Sequence, residues 1–209
     1  MANRRLKAII FDIGRVLVRI DLRRVQQGLA QGLAMSPEEL WKAIEKDPRW
    51  NDWQEGRMTA RDWYLHLSSK LRLSLSFEQF VHTWNSTLDP KPIHDNEFFA
   101  ELAKHYRIGL LSNTDPIHVA YLERTYTFFD YFPAERRIYS CAVGLSKPNP
   151  GIYLAALKAC RATALEAVYI DDMGANVEAA KRLGLHGIEY RDPEQLEQVF
   201  EELGIRKKP

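Results

Sequence analysis

Cysteine is scarce. Cys141 and Cys160 are the two in 209 residues, and they form no C-x-x-C pair. That excludes a disulfide-stapled scaffold, and the expected state is two idle thiols in a reducing, cytoplasmic compartment. The histidines supply no zinc-type pair either: none of His66, His82, His94, His105, His118 and His186 lies three to five residues from another. Long apolar runs are missing. The opening stretch MANRRLKAIIFDIG reaches only AIIF before an Asp, and nothing later approaches 18 apolar residues, so neither a signal peptide nor a membrane span is expected. Neither sign of charge is in excess. Lys and Arg total 29 against 28 Asp and Glu, a net charge of +1, which lacks the basic surplus of a nucleic-acid binder. No internal repeat or low-complexity tract is present. What remains is ordinary for a soluble globular chain, 45% hydrophobic and 27% charged. The length suits one large domain, or a core with a smaller insert, and needs no metal or disulfide to fold.

The texture changes along the chain. Residues 7–12 (KAIIFD) read as a short buried strand. Residues 21–88 contain no convincing strand and read as four helices, near 21–34, 36–47, 59–70 and 76–87. Ser36-Pro37-Glu38-Glu39 is a strong helix start, with Ser as N-cap, Pro at the first position and Glu at the third, whereas Thr59 and Ser76 are weaker caps. All five tryptophans fall in this stretch and are expected to form its core. From Pro92 onward strands alternate with helices: helix 94–104, strand 107–112, a helix from Asp115-Pro116, strand 137–142, helix 149–161, strand 167–171, helix 173–184, strand 186–190 and a last helix from Asp192. Alternation of this kind implies an α/β fold, a doubly wound parallel sheet covered on both faces. The reading is therefore a core over 1–18 and 90–209 with a helical-bundle insert over 19–89, and Pro90-Lys91-Pro92 as the return linker.

Three apolar strands end abruptly in oxygen-bearing side chains. AIIF runs into Asp12, IGLL into Ser112-Asn113, and AVYI into Asp171-Asp172. In a parallel sheet all carboxyl ends lie on one edge, where ligands bind at the switch in strand order. Clustered carboxylates repel one another unless a cation sits between them, and hard oxygen donors suit Mg²⁺ bridging to a phosphate. Lys147, in GLSKPNP, supplies a further positive charge. A carboxylate beside Mg²⁺ also serves as a nucleophile toward a phosphoryl group. Plainer readings exist for each residue taken alone: an Asx turn for Asp12, a helix-entry loop for Ser112 and Asn113, a solvated loop lysine for Lys147, and a helix cap for one of Asp171 and Asp172. Asp115, before Pro116, reads as an N-cap, and His94 and His118 receive no role.

The motifs FDIGRVL at 11–17, LLSNT at 110–114, SKPNPGIY at 146–153 and YIDDMGANVEAAKRLG at 169–184 occur in one order over almost the whole chain. Together they resemble the haloacid dehalogenase-like (HAD) hydrolase superfamily, in its helical-cap phosphatase branch with an FDxGxV first motif. The resemblance implies a Rossmann-like core with an inserted helical cap. It also implies Asp12 as nucleophile and metal ligand, Ser112 and Lys147 as partners of phosphate and nucleophile, Asp172 as a metal ligand, and Asp171 as an adjacent ligand or one acting through water; the strand-end reading itself has Ser112 and Asn113 binding the phosphoryl oxygens. Gly14 would lend its backbone carbonyl to Mg²⁺.

Two positions depart from the family pattern. Most phosphatases of the family carry an acid two residues after the nucleophile, and here that residue is Gly14. Such a general acid/base typically supplies roughly 10²–10⁴-fold in rate. Asp21 fits the longer pattern FDxGxVxxxxD as a substitute, although an N-cap role is the plainer reading. Asn176 stands where many relatives have another Asp, and is expected to hydrogen-bond Lys147 or a loop backbone. The expected activity is a Mg²⁺-dependent phosphatase acting through an aspartyl-phosphate on a small phosphorylated metabolite, with sugar phosphates among the candidates. The alternatives are a metal-independent 2-haloacid dehalogenase, whose DxYGT pattern is absent, and a non-catalytic phosphate-binding protein.

Overall fold

The computed structural model describes residues 6–205, so the expected core's outermost stretches, 1–5 and 206–209, lie outside the described residues. Strand β1 (Ala8–Phe11) is four consecutive buried apolar residues, as a central parallel strand covered on both faces requires. It pairs in parallel with β4 (Arg107–Ser112) on one side and β6 (Ala167–Asp171) on the other, and the edge strands are β5 (Arg137–Tyr139) and β7 (His186–Glu189). The order is β5-β4-β1-β6-β7. The chain thus winds outward from β1 through β4 to β5, then crosses back and winds the other way through β6 to β7. That reversal opens a crevice over the carboxyl end of β1.

Because side chains alternate across a strand, each strand feeds two cores. Ile9, Phe11, Val168 and Ile170 face a phenylalanine-rich layer with Phe98 and Phe99 of α6 (Asn96–His105), Leu122 of α7 (Pro116–Thr125) and Phe200 of α11 (Pro193–Glu202). Ala8, Ile10, Ala167 and Tyr169 face α9 (Pro150–Ala159) and α10 (Gly174–Arg182) through Ile152, Tyr153, Ala156 and Ala180. The polar residues that follow β1 and β6 are carried to the same edge by this register, with Ile10 opposite Tyr169 and Phe11 opposite Ile170.

Between Val18 and Pro92 the structure departs from the sequence reading in two ways. A fifth helix, α3 (Trp50–Gln54), joins α1 (Leu22–Ala30), α2 (Pro37–Glu45), α4 (Ala60–Leu71) and α5 (Phe77–Asn85). It is a five-residue turn without a side-chain cap, too short to carry a periodic signal. Two strands also appear: β2 (Val18–Ile20) and β3 (Leu88–Pro92) pair antiparallel as a separate ribbon. Pro90-Lys91-Pro92 is therefore a strand rather than a linker. Both prolines are tolerated because a two-stranded ribbon consists entirely of edges. The predicted strand 137–142 stops at Tyr139, where a short helix, α8 (Ser140–Val143), begins. Thr59 and Ser76, expected as weaker caps, both complete capping boxes, with Asp62 and Gln79.

The five helices enclose their own apolar cluster, with Trp53, Trp63, Trp84 and Phe80 at its centre and Ile117 of α7 joining it from below. The seam with the sheet-bearing part is close. Ser140 Oγ lies 2.7 Å from the Gln54 carbonyl and 3.0 Å from the Thr114 carbonyl, and accepts from Thr114 N–H at 2.9 Å. Beside it, Gly56 sits at φ +69°, where a Cβ would stand 1.9 Å from the Cys141 carbonyl oxygen. Both the left-handed backbone and the contact demand glycine. Gly56→Ala should therefore cost about 2–4 kcal/mol, read by urea unfolding. A loss below about 0.5 kcal/mol would mean the seam relaxes without strain.

Candidate functional site

The three polar strand ends meet over β1. Asp12 follows Phe11, Ser112 closes β4 and Asp171 closes β6. Each of Asp12, Asp171 and Asp172 offers a carboxylate oxygen, all within 4.8 Å of one another. Lys147 reaches in from the loop before α9. Its Nζ donates to Asp12 Oδ1 at 2.8 Å and to Asp171 Oδ2 at 2.7 Å, and its side chain is 3% exposed. A buried ammonium between two carboxylates offsets their repulsion. Burial alone would lower the Lys147 pKa, but the attraction of both carboxylates raises it.

Asp12 responds differently. Burial pushes its carboxyl up to about 6, with the Asp171 charge adding to the rise and Lys147 opposing it. Asp172 is also raised, first by burial and then by Asp171, against the pull of Arg15. Arg15 Nη1 stands 3.5 Å from Asp172 Oδ2. Arg15 has φ +59°, a left-handed turn that lets its N–H bond Val18 O while Val18 N–H bonds Ile13 O. No donor among the described residues reaches the Gly14 carbonyl. Three carboxylates and an uncommitted carbonyl form an all-oxygen set that fits a small, hard divalent cation such as Mg²⁺.

Asp171 stands apart from the other two carboxylates. It is 0% exposed, and its oxygens accept from Lys147, the Tyr169 hydroxyl, Met173 N–H and Asn176 Nδ2. Its lone pairs are largely committed to protein donors, which marks it as an anchor for Lys147 and leaves Asp12 and Asp172 the freer donors. Asn176 reaches Asp171 rather than Lys147, a correction to the sequence expectation, and its carbonyl accepts from the Tyr153 hydroxyl at 3.0 Å. Asn113 uses its amide on the backbone of Lys147: Oδ1 accepts from Lys147 N–H at 2.7 Å and Nδ2 donates to Lys147 O at 3.0 Å. Its side chain therefore fixes the lysine loop instead of facing a phosphoryl group, a correction to the expected phosphate-binding role. Ser112 lines the cavity, and its hydroxyl makes no hydrogen bond to the described residues. Asp21 is the N-cap of α1, as the plainer reading had it, and pairs with Arg23 and Arg24.

Some participants were not found in the sequence. Tyr169 precedes Asp171 by two residues and so shares its face of β6, a signal that strand periodicity carried. The other is a buried staple. Asp115 caps α7 as predicted, and also accepts from Trp84 Nε1 at 3.0 Å and pairs with His118 Nδ1 at 3.0 Å. His118 Nε2 lies 3.1 Å from the Trp84 carbonyl. Both ring nitrogens thus face groups that only accept, so the ring is held as the imidazolium. Burial would lower the His118 pKa, but the Asp115 charge together with the hydrogen bonds to Asp115 and the Trp84 carbonyl raises it. The raised value means the contribution to stability is full below about pH 6.5 and fades as pH rises through the folded-state pKa. His118→Leu should cost about 3 kcal/mol at pH 6 and less at pH 9, measured by urea unfolding at both. An equal loss at both would show an uncharged contact.

Above the carboxylates lies a cavity of about 240 Å³ between the sheet edge and the helices, lined by Asp12, Gly14, Ser112, Asn113 and Lys147 below and by Trp41, Trp50 and Trp84 above. No helix among the described residues is long and apolar enough to cross a membrane.

Comparison with known proteins agrees with this architecture. The family model for haloacid dehalogenase-like hydrolases matches residues 6–184. The D-ribitol-5-phosphate phosphatase of Bacteroides thetaiotaomicron is 26% identical over 186 residues, covering 86% of this chain and 89% of that protein. A HAD family enzyme of the same organism, solved in complex with magnesium and inorganic phosphate, superposes with a TM-score of 0.80 at 24% identity, covering 93% of this chain and 99% of that one. The L-2-haloacid dehalogenase of Xanthobacter autotrophicus superposes less closely, with a TM-score of 0.61 at 22% identity, over 92% of this chain and 81% of that one. These two structures share the fold.

Proposed function

Since the chain belongs to the haloacid dehalogenase-like hydrolases, we propose that it is a Mg²⁺-dependent phosphatase acting on a small phosphorylated metabolite through an aspartyl-phosphate on Asp12. The observation that carries this reading is the convergence of Asp12, Asp171 and Asp172 on one sheet edge around the buried Lys147. Asp12, Asp172 and the Gly14 carbonyl would hold Mg²⁺, with Asp171 acting one step removed through Lys147. When bound, the ion screens the repulsion between carboxylate and phosphate and draws charge from the equatorial oxygens. Asp12 attacks phosphorus, and Lys147 and the Ser112 hydroxyl bind the phosphoryl oxygens as charge builds on them. Asn113 holds the Lys147 loop at the distance this requires. The helical segment expected over 19–89 serves as a cap that excludes bulk water and reads the rest of the substrate.

The acidic pair Asp171-Asp172 favours this reading over a metal-free dehalogenase, which has no use for it. The test is release of inorganic phosphate and of halide from a panel containing phenyl phosphate, D-ribitol 5-phosphate, other sugar phosphates and chloroacetate, with Mg²⁺ and with chelator. The expected result is phosphate release that chelation abolishes. Halide release indifferent to chelator, or Mg²⁺ binding without turnover of any ester, would overturn it. Asp21, capped and ion-paired at the start of α1, is expected to stand outside the chemistry. The pH–rate profiles of wild type and Asp21→Asn should superimpose, and a missing limb in the variant would make Asp21 an acid or base.

A further inference from the structure

The cavity over Asp12 has two unlike ends. Its floor is polar, and its upper wall is Ile20, Val25 and Leu88 together with Trp41, Trp50 and Trp84. Trp41 and Trp50 are half-buried and pack edge to face, with centroids 6.3 Å apart. Trp84 is fixed by Asp115 and stacked on His118. Away from the phosphate edge, few polar side chains face this space. Asp115 and His118 are spent on each other and on Trp84, which leaves Gln54 and Thr87. The Thr87 hydroxyl is buried with no hydrogen-bond partner among the described residues.

A second observation concerns the proton. Gly14 brings no acid beside Asp12, and a Cβ at residue 14 would lie 3.7 Å from Ile20 Cγ1, so aliphatic surface stands where an acid would point. Among the described residues, no uncommitted carboxyl or imidazole lines the upper wall. A leaving alcohol therefore departs unprotonated. That is slow for an aliphatic alcohol, whose pKa is near the ~15.7 of water, and far easier for a phenol, with a pKa of about 10.

We propose that the substrate is the phosphate monoester of a compact aromatic hydroxyl compound whose ring packs against the cavity-facing sides of Trp41 and Trp50. This rests on the phosphatase reading above and narrows its substrate class. There is room for it: a dry cavity of about 150 Å³ accepts benzene, and the 240 Å³ here accommodates a ring and a phosphoryl group. A polyol phosphate would bury several hydroxyls against indole and aliphatic surface, each losing about tenfold or more in affinity when left unpaired. In the reaction an Asp12 oxygen forms a bond to phosphorus while the phosphorus–oxygen bond to the ring breaks, its electron pair leaving with the phenolate. Water then attacks the phosphorus of the aspartyl-phosphate and displaces the Asp12 carboxylate. Inorganic phosphate departs, and the proton lost from that water is made good on the phenolate from solvent.

Good leaving groups react on many phosphatases, so the test separates fit from reactivity. Competitive inhibition constants would be measured for benzylphosphonate and methylphosphonate, neither of which is cleaved, alongside kcat/KM for phenyl phosphate and D-ribitol 5-phosphate, in wild type and Trp50→Leu. Benzylphosphonate should bind at least about tenfold more tightly than methylphosphonate, and Trp50→Leu should erase most of that gap while leaving methylphosphonate unchanged. Equal affinity for both phosphonates, or a higher kcat/KM for the polyol ester, would overturn the aromatic class and leave the phosphatase reading intact. Hydrolysis of no phosphate ester would remove the phosphatase reading itself, and this inference with it.

Discussion

Asp12→Asn should lower kcat for every phosphate ester by about four orders of magnitude or more, while the protein remains folded. The amide is nearly isosteric with the carboxylate but cannot form the acyl phosphate, and removal of a covalent nucleophile costs on this scale. The fold should tolerate the change because the native charge at Asp12 is already disfavoured: burial has pushed its carboxyl up to about 6. The side-chain oxygen of asparagine also remains able to accept from Lys147, which sits 2.8 Å from Asp12 Oδ1 in the wild type. Phosphate release under saturating substrate, together with a urea unfolding curve, checks both halves. Activity above about 1% of wild type would mean that another group attacks phosphorus.

Lys147→Met should damage both stability and catalysis. Lys147 is the cation between Asp12 and Asp171, and methionine of similar length would leave two carboxylates facing each other in a buried site. Breaking a buried pair by removing one partner costs about 3–5 kcal/mol. The loss should be greatest at pH 8 and smaller at pH 5. Carboxylates deprived of their cation take up protons more readily in the folded state than in the unfolded one, so lowering the pH relieves the repulsion. The rate should fall by about 10²–10³-fold, the usual effect of removing one preorganised group that meets developing charge. Urea unfolding at the two pH values and kcat on phenyl phosphate measure these outcomes. A loss of stability independent of pH would point to packing of the lysine stem instead of its charge.

Asp12 was legible in the sequence as a strand-end residue because its position obeys a local rule. A strand buried on both faces is a continuous apolar run, so the first polar residue after it marks the sheet edge, and three such runs mark Asp12, Ser112 and Asp171. The same rule reached Asp172. Lys147 required the motif around it, since a lysine in a loop has no periodicity of its own. The strand order was not legible, but the alternation of strands with helices restricted the sheet to a parallel, doubly wound one, and the register of β1 with β6 then placed the acidic ends side by side.

Other features depended on chain segments meeting. The β2–β3 ribbon joins residues on either side of the helical segment, and a three-residue strand paired with one containing two prolines carries no pattern of its own. Asn113 and Asn176 were visible as polar residues near the site, yet an amide offers donors and acceptors in every direction, and only the approach of Lys147 and Asp171 selected their partners. Asp115 was read as a cap because capping is local. Its second use, holding His118 and the Trp84 indole, exists because α5 packs across α7. The chain's order of apolar and polar residues therefore specified which groups would stand at the sheet edge. Which of them stay free for a ligand, and which are consumed by neighbours, was settled by the packing of helices distant in sequence, because a hydrogen bond's partner is chosen by proximity and not by residue type.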